Sequence, residues 1–291
     1  MGGDRGTLGT MTVVVARTTR DVLTVTGPDA LTWLQGQLSQ DVVKLAPGDV
    51  AFTFILAPQG KVDGWGRIER TADDALRIDV DAGAGEAWLA RLQRFKLRTK
   101  ADLSLATDVP MVAVRGATPE AGLPAGWPGV AGVDYLDADD DVVDALLADG
   151  ASEVDAASFE ALRIRAGAPR WGAELDGDTI PATLGQWAID ASVSFTKGCF
   201  TGQELVARID SRGGNVPRRL AGLVLDGPPP AVGSEVTVDG RPAGTITSSA
   251  PDAATGGSVA LAFVPRSVEV PAAAEVAGRT AGLAALPLPG S

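Results

Sequence analysis

The stretch "SVSFTKGCFTGQELVARIDSRGG", Ser192–Gly214, carries the only cysteine of the chain, Cys199, in a sequence without histidine. "SVSF" alternates as a strand does, and "QELVARI" has helical spacing, so Lys197–Gly202 read as the turn between them. Thr201 and Glu204 fit a T-x-x-E capping box. The helix then starts just after Cys199, where free backbone N–H groups and Lys197 would favour a thiolate. Two readings stand at this level. One is a reactive or ligating thiol. The other is a small apolar residue in a tight turn, with Glu204 only capping.

The composition around that stretch narrows its chemistry. The absence of histidine excludes a Ser-His-Asp triad, a Cys-His pair and imidazole metal ligation. One cysteine cannot hold an iron–sulphur cluster within one chain, so any metal role for Cys199 is that of a ligand shared with a partner. It also excludes an internal disulfide, which fits a cytoplasmic location. A net charge of −12 over 291 residues opposes direct nucleic-acid or membrane binding through a basic surface. No apolar run is long enough for a membrane span. No G-x-G-x-x-G or P-loop pattern indicates a nucleotide cofactor.

Outward from the cysteine, three zones appear. Residues 1–11 read as a disordered leader. Residues 12–216 form an α+β body. "TVVVA", "DVLTVTG", "VAFTFILA", "GKVDGWGRIER", "ALRIDV", "ADLSLAT" and "PMVAVRG" read as strands. "GPDALTWLQGQL", "GEAWLARLQRFKLRTK" and "DAASFEALRIRAG" read as helices. In the second helix Trp88, Leu92 and Phe95 share a core face. Arg91, Arg94 and Arg98 recur on another, with Lys96 and Lys100 near. That basic face is either solvated or the seat of an anion such as a polyglutamate or a phosphate. In the third helix Phe159, Leu162 and Ala166 face inward. Trp33, Trp65, Trp88 and Trp171 are core residues or the walls of a site for a flat heteroaromatic ligand. The Asp-rich run from Asp134 to Asp149 reads as solvated surface. Residues 217–291 carry short, evenly spaced strands, the pattern of a small β-barrel.

"KGCFTGQE", Lys197–Glu204, closely resembles the K-G-C-[YF]-x-G-Q-E signature of the YgfZ family, folate-binding relatives of the glycine-cleavage T-protein (aminomethyltransferase). "GPDALTWLQGQLSQDV", "LAPQGKV", "RLQRFKLRTKADL", "ALRIRAGAPRWGAEL" and "IPATLGQW" resemble further blocks of that family in the same order. The resemblance implies a T-protein-like α+β fold with three subdomains around a central channel, the last a C-terminal barrel. The body would divide into 12–50 with 154–216, and 51–153. It also implies tetrahydrofolate or another folate in the channel, with Gln35, Lys61, Trp65, Arg98 and Arg165 as candidate contacts. Cys199 and Lys197 become candidate catalytic residues within the motif Gly198, Phe200, Gly202, Gln203 and Glu204. The implied role is assembly or repair of iron–sulphur enzymes, which links the family indirectly to tRNA modification. The implied partners are folate and iron–sulphur assembly or client proteins.

Two positions depart from the T-protein pattern. Gly64 and Trp65 stand where "G-G-[IV]-x-D-D" has its aspartates, with Asp63 one place early. Arg165 stands at the pterin-binding Glu of "R-[IL]-E-x-G", and a guanidinium cannot accept a pterin's N–H donors. Both argue against aminomethyl transfer. Two alternatives remain: a tetrahydrofolate-dependent C1 transferase that uses Asp63, and a folate-sensing module without chemistry.

Overall fold

The computed structural model describes residues 12–289; the leader expected at 1–11 lies outside them. The chain opens with β1 (Val14–Thr26), one strand of 13 residues where two were expected. The polar stretch "RTTR" between the two apolar runs stays in the strand because Arg17, Thr18 and Arg20 line a cavity instead of ending in a loop. α1 (Ala30–Gln37) follows, with Leu34 buried against the sheet. Next come β2 (Val50–Leu56), β3 (Val62–Ala72) and β4 (Ala75–Asp81), each antiparallel to its sequence neighbour.

α2 (Gly85–Arg94) is shorter than its apolar pattern suggests. Trp88 and Leu92 are buried, but Phe95 lies past the helix end and is 39 % exposed. Arg98 sits in the following loop with φ 55, so the three-arginine helix face does not form. The next strand, β5 (Asp102–Arg115), again fuses two expected strands and pairs with β1 along nearly its whole length.

β6 (Leu123–Pro124) and β7 (Gly132–Leu136) extend the sheet. α3 (Asp140–Ala148) grows from the acidic run and buries Val143 among Val15, Val112 and Val114. β8 (Ser152–Glu153) lies parallel to the start of β1. The result is an eight-stranded sheet with the path β2-β3-β4-β1-β5-β7-β6 and β8 beside β1. β1 is central to it, so the division expected between 12–50 and 51–153 does not follow the sheet. One face carries the main core, where Leu23, Ile68, Ile78 and Val80 meet Leu34, Trp88 and Leu92 of α1 and α2.

α4 (Ala156–Ala166) lies between the other face and the last domain. Its Asp155 cap accepts Ser158 N–H, and its αL Gly167 closes the C-terminus, the usual pair of stop signals. The buried set is Ala161, Arg163, Ile164, Arg165 and Ala166, while Phe159 and Leu162 are half-buried. α5 (Gln186–Ser192) covers "QWAIDAS", and α6 (Gln203–Ser211) covers "QELVARIDS". β9 (Arg218–Leu225), β10 (Glu235–Val238), β11 (Arg241–Asp252), β12 (Gly257–Pro265), β13 (Ala272–Val276) and β14 (Arg279–Ala284) close into the expected small barrel, here of six strands in the order β10-β11-β12-β9-β14-β13. Its interior is apolar, built on Leu223, Val236, Ile246, Val264 and Val276. Ala161 and Ile164 of α4 pack on its outer wall against Leu261 and Leu288.

Candidate functional site

The sheet face opposite α1 and α2, the cavity-facing edge of α4 and the loops at 125–127 and 169–171 enclose a cavity of about 450 Å³. That size suits one ligand of a few hundred daltons. Phe52 on β2 and Trp65 on β3 form one flat wall, stacked 5.1 Å apart at 21°. Trp127 and Phe159 form another, 5.1 Å apart. Trp171 also lines it. Trp88, by contrast, is core, and Trp33 packs on that core with its indole N–H donating to the Phe95 carbonyl.

Six arginines line the same space: Arg17, Arg20, Arg67, Arg115, Arg163 and Arg170. Arg67 is buried and saturated. Its Nε and Nη2 donate to Asp79 at 2.9 and 2.8 Å, and its Nη1 donates to Asp134 at 2.6 Å and to the Pro124 carbonyl. Burial works against its charge, but Asp79 and Asp134 outweigh burial and raise its pKa above the ordinary value. Burial likewise works against the Asp79 carboxylate, and Arg67 and Arg20 more than offset it, so its pKa lies below the ordinary 3.8. Arg163 donates to Glu160, Ser248, the Ala168 carbonyl and Glu174. Glu174 in turn accepts from Thr247 and Ser248 of the barrel at 2.7 and 2.6 Å. A buried polar network of this kind is favourable when every member is satisfied.

Arg115 breaks that pattern. Its Nη1 donates to Asp134 at 2.8 Å and to the Val114 and Val133 carbonyls. Its Nε is buried with no partner. The guanidinium stacks 4.0 Å from the Trp127 ring and 5.3 Å from that of Phe159. Burial lowers its pKa, and Asp134 compensates only in part.

Of the expected folate contacts, Trp65 alone lines the cavity. Its indole N–H donates to Ser192 at 2.9 Å, which fixes the ring. Gln35 is turned to Asp41 and the Val43 N–H. Lys61 pairs with Asp178 at 2.6 Å on the surface. Arg98 lies in the loop after α2. Arg165 clasps Asp252 of the barrel bidentately, at 3.1 and 2.6 Å, and donates to the Pro289 carbonyl. The position that resembles a pterin-binding Glu is therefore an interdomain latch here. Asp63 is also elsewhere, held by Arg91 at 3.0 Å. Gly64 is required by packing, because a Cβ there would meet Trp88 Nε1 at 2.0 Å.

The cysteine segment differs from its expected form. Residues 193–200 form no strand, and α6 starts at Gln203 behind an αL Gly202, without a side-chain cap. Glu204 is exposed, and Gln203 instead accepts the Phe200 N–H through its side chain at 3.1 Å. Gly202 (φ +79) lets the segment touch the β2–β3 turn, since a Cβ would lie 2.5 Å from the Ala57 carbonyl. Gly198 has open space around it. Lys197 Nζ donates to the carbonyls of Gln35, Leu38 and Gln40 at 2.6, 2.7 and 2.7 Å. Its three donors thus cap the end of α1 and do not serve the thiol. Burial lowers its pKa to about 8, with Asp41 opposing. Phe200 packs against the cluster around Phe54 and Val206. Cys199 is exposed.

Phe52, Arg67, Arg115, Trp127 and Arg163 are cavity residues that sequence reasoning left unassigned, and Phe159, expected in the core, lines the cavity instead. A charge closing an apolar run, as Arg115 closes "PMVAVRG", was the available signal.

The barrel matches the glycine cleavage T-protein C-terminal barrel domain over residues 218–286. An aminomethyltransferase of Thermus thermophilus is 28 % identical over 299 residues, covering 91 % of this chain and 83 % of its own. The tRNA-modifying protein YgfZ of Edwardsiella ictaluri is 28 % identical over 218 residues, covering 66 % and 65 %. The crystal structure of the aminomethyltransferase T of the Bartonella henselae glycine cleavage system superposes with TM-score 0.78, covering 95 % of this chain and 86 % of that one at 19 % identity. That likeness carries the fold, including the barrel. Along most of its length the chain is thus similar both to the YgfZ proteins and to the glycine-cleavage T-proteins, and its barrel is of the T-protein C-terminal kind.

Proposed function

We propose that this protein binds a reduced folate in the central cavity without transferring an aminomethyl group. We further propose that it serves the assembly or repair of iron–sulphur enzymes through Cys199. The observation that carries the first part is the cavity wall at Trp65. An aromatic plane stands there where the T-protein pattern has an acid, and Gly64 beside it has no room for a side chain.

The residues present fit a flat heteroaromatic ligand with anionic groups. Phe52 and Trp65 supply a stacking surface, and the arginine-rich walls favour negative charge. A bound folate would supply one-carbon carrier chemistry. The chain's own part is to orient the ring against Trp65 and to keep water from it. Asp81 and Glu160 line the cavity, but Arg20 engages the first and Arg163 and Arg170 the second. No free carboxylate therefore stands ready as a general base among the described residues lining the cavity.

Cys199 lies outside the cavity lining, on a segment anchored to α1 by Lys197 and to the apolar cluster around Phe54 and Val206 by Phe200. An exposed thiol on a fixed support suits a transient bond to a client protein or a shared cluster ligand.

Calorimetric titration of tetrahydrofolate tests the first part. Saturable binding that weakens in Trp65→Ala is expected, with no turnover of an aminomethyl donor. Measurable transfer would sink the reading and favour a C1 transferase. A Cys199→Ala strain tests the second part. Iron–sulphur enzyme activities should fall to the level of the deletion strain, while purified Cys199→Ala binds folate as the native protein does. Full rescue would leave a folate-sensing module without thiol chemistry.

A further inference from the structure

Among the buried and half-buried arginines of the cavity, Arg115 is set apart by its unused donors. Arg67, Arg20 and Arg163 each engage all three guanidinium nitrogens. Arg115 is only 1 % exposed, yet its protein hydrogen bonds all leave from Nη1. Nε and Nη2 form the side of the guanidinium that presents two parallel donors to a planar oxyanion. Leaving a buried charged donor without a partner costs on the order of 1–3 kcal/mol. Proteins rarely retain such a cost without an occupant or a role.

The surroundings select the kind of occupant. Trp127 and Phe159, 5.1 Å from each other, lie to the same side of the guanidinium, 4.0 and 5.3 Å from it, and give the subsite an aromatic wall. Asp134 sits on the Nη1 side and is already shared with Arg67, at 2.8 and 2.6 Å, so its charge is compensated. Arg115 lines the cavity, and Nε and Nη2 are the donors it has left for a ligand. We propose that Arg115, framed by Trp127 and Phe159, is a carboxylate-binding subsite of the central cavity, and that the ligand enters with a carboxylate on the Nε–Nη2 edge. Desolvation already depresses the Arg115 pKa, and a bound anion would reverse that effect.

This inference deepens the folate reading, because folates carry carboxylates, but its test need not rest on it. The first probe is benzoate, against benzamide as its neutral isostere, with native protein and binding read by calorimetry. Benzoate should bind at least about tenfold more tightly than benzamide. The conservative variant Arg115→Lys keeps a cation beside Asp134 but lacks the paired donors. It should lose about 10- to 100-fold in benzoate affinity and leave benzamide unchanged. Equal binding of the two probes to native protein, or equal benzoate affinity in Arg115→Lys, would overturn the proposal without requiring a fragile variant to fold.

The second pair of probes is tetrahydrofolate and tetrahydropterin, which lacks any carboxylate. Arg115→Lys should weaken the first by a similar factor and leave the second as it was. Loss of both alike would make Arg115 a structural residue and overturn the assignment. Native protein that binds benzoate through Arg115 but not tetrahydrofolate would end the folate reading and leave the carboxylate subsite standing.

Discussion

The barrel interior and the central cavity are built on opposite terms. The barrel packs Leu223, Val236, Ile246 and Val264 into one apolar cluster. The cavity, a few residues of α4 away, buries Arg67, Arg115 and Arg163 with Asp79, Asp134 and Glu174. The barrel draws its stability from apolar area, which is non-directional and tolerant of change. The cavity draws its shape from hydrogen-bonded charges, which hold one geometry and fail when a partner is lost. α4 joins the two: Ile164 faces the barrel, Arg163 faces the cavity and Arg165 latches onto Asp252.

The sharpest way to break this contrast is Arg67→Met. It strands Asp79 and Asp134 without their main partner, and removing one side of a buried ion pair costs about 3–5 kcal/mol. Urea unfolding should show that loss, and the cavity should no longer bind tetrahydrofolate even where the protein remains folded. Leu223→Ala in the barrel should cost about 2–4 kcal/mol through the cavity it leaves. Folate affinity should hold at temperatures where the variant is native, so a parallel loss of affinity would erase the distinction.

Acid sharpens the comparison further, because it addresses only the charged region. Asp79 has a folded-state pKa below its ordinary 3.8, Arg67 and Arg20 outweighing burial. Asp252 is lowered likewise, Arg165 and Thr255 outweighing burial. A depressed carboxylate contributes stability that is present above 3.8 and is lost as pH falls through its lower folded value. Thermal melts should therefore hold nearly level with respect to these two groups down to about pH 4 and drop below it. In Arg67→Met, that part of the drop due to Asp79 should shrink. The smallest effect on stability belongs to Cys199→Ala. The side chain is exposed, and the change should stay within about 0.5 kcal/mol by chemical denaturation, which separates any functional loss from unfolding.

Much of the architecture was legible from local patterns. Short, evenly spaced strands marked the barrel region, and the α1, α4 and α6 helices fell where their apolar spacing put them. β1 and β5 were each split in two because "RTTR" and "TDVP" look like loops. Their polar residues belong to long paired strands, some of which face the cavity. The strand expected at "SVSF" failed for a related reason: its backbone is engaged by Ser39 and α5 and not by a sheet. The capping box failed because Gly202, free to take φ +79, moved the helix start past Thr201.

The motif around Cys199 was also plain to read, since its glycines and lysine lie side by side in the chain. Their duties were not. Lys197 is 157 to 162 positions from the carbonyls it caps. The same holds for the cavity. Arg67 meets Asp134 across 67 residues, and Arg165 meets Asp252 across 87. Short-range order in the chain suffices for elements whose stabilising contacts are local, which is why the barrel strands and most helices could be named from residue types. Whether a given arginine is saturated, latched to another domain or left with an open edge depends on which distant carboxylate the fold brings to it. Arg67, Arg165 and Arg115 are chemically the same residue, and only packing makes the first a structural hub, the second a latch and the third a free pair of donors.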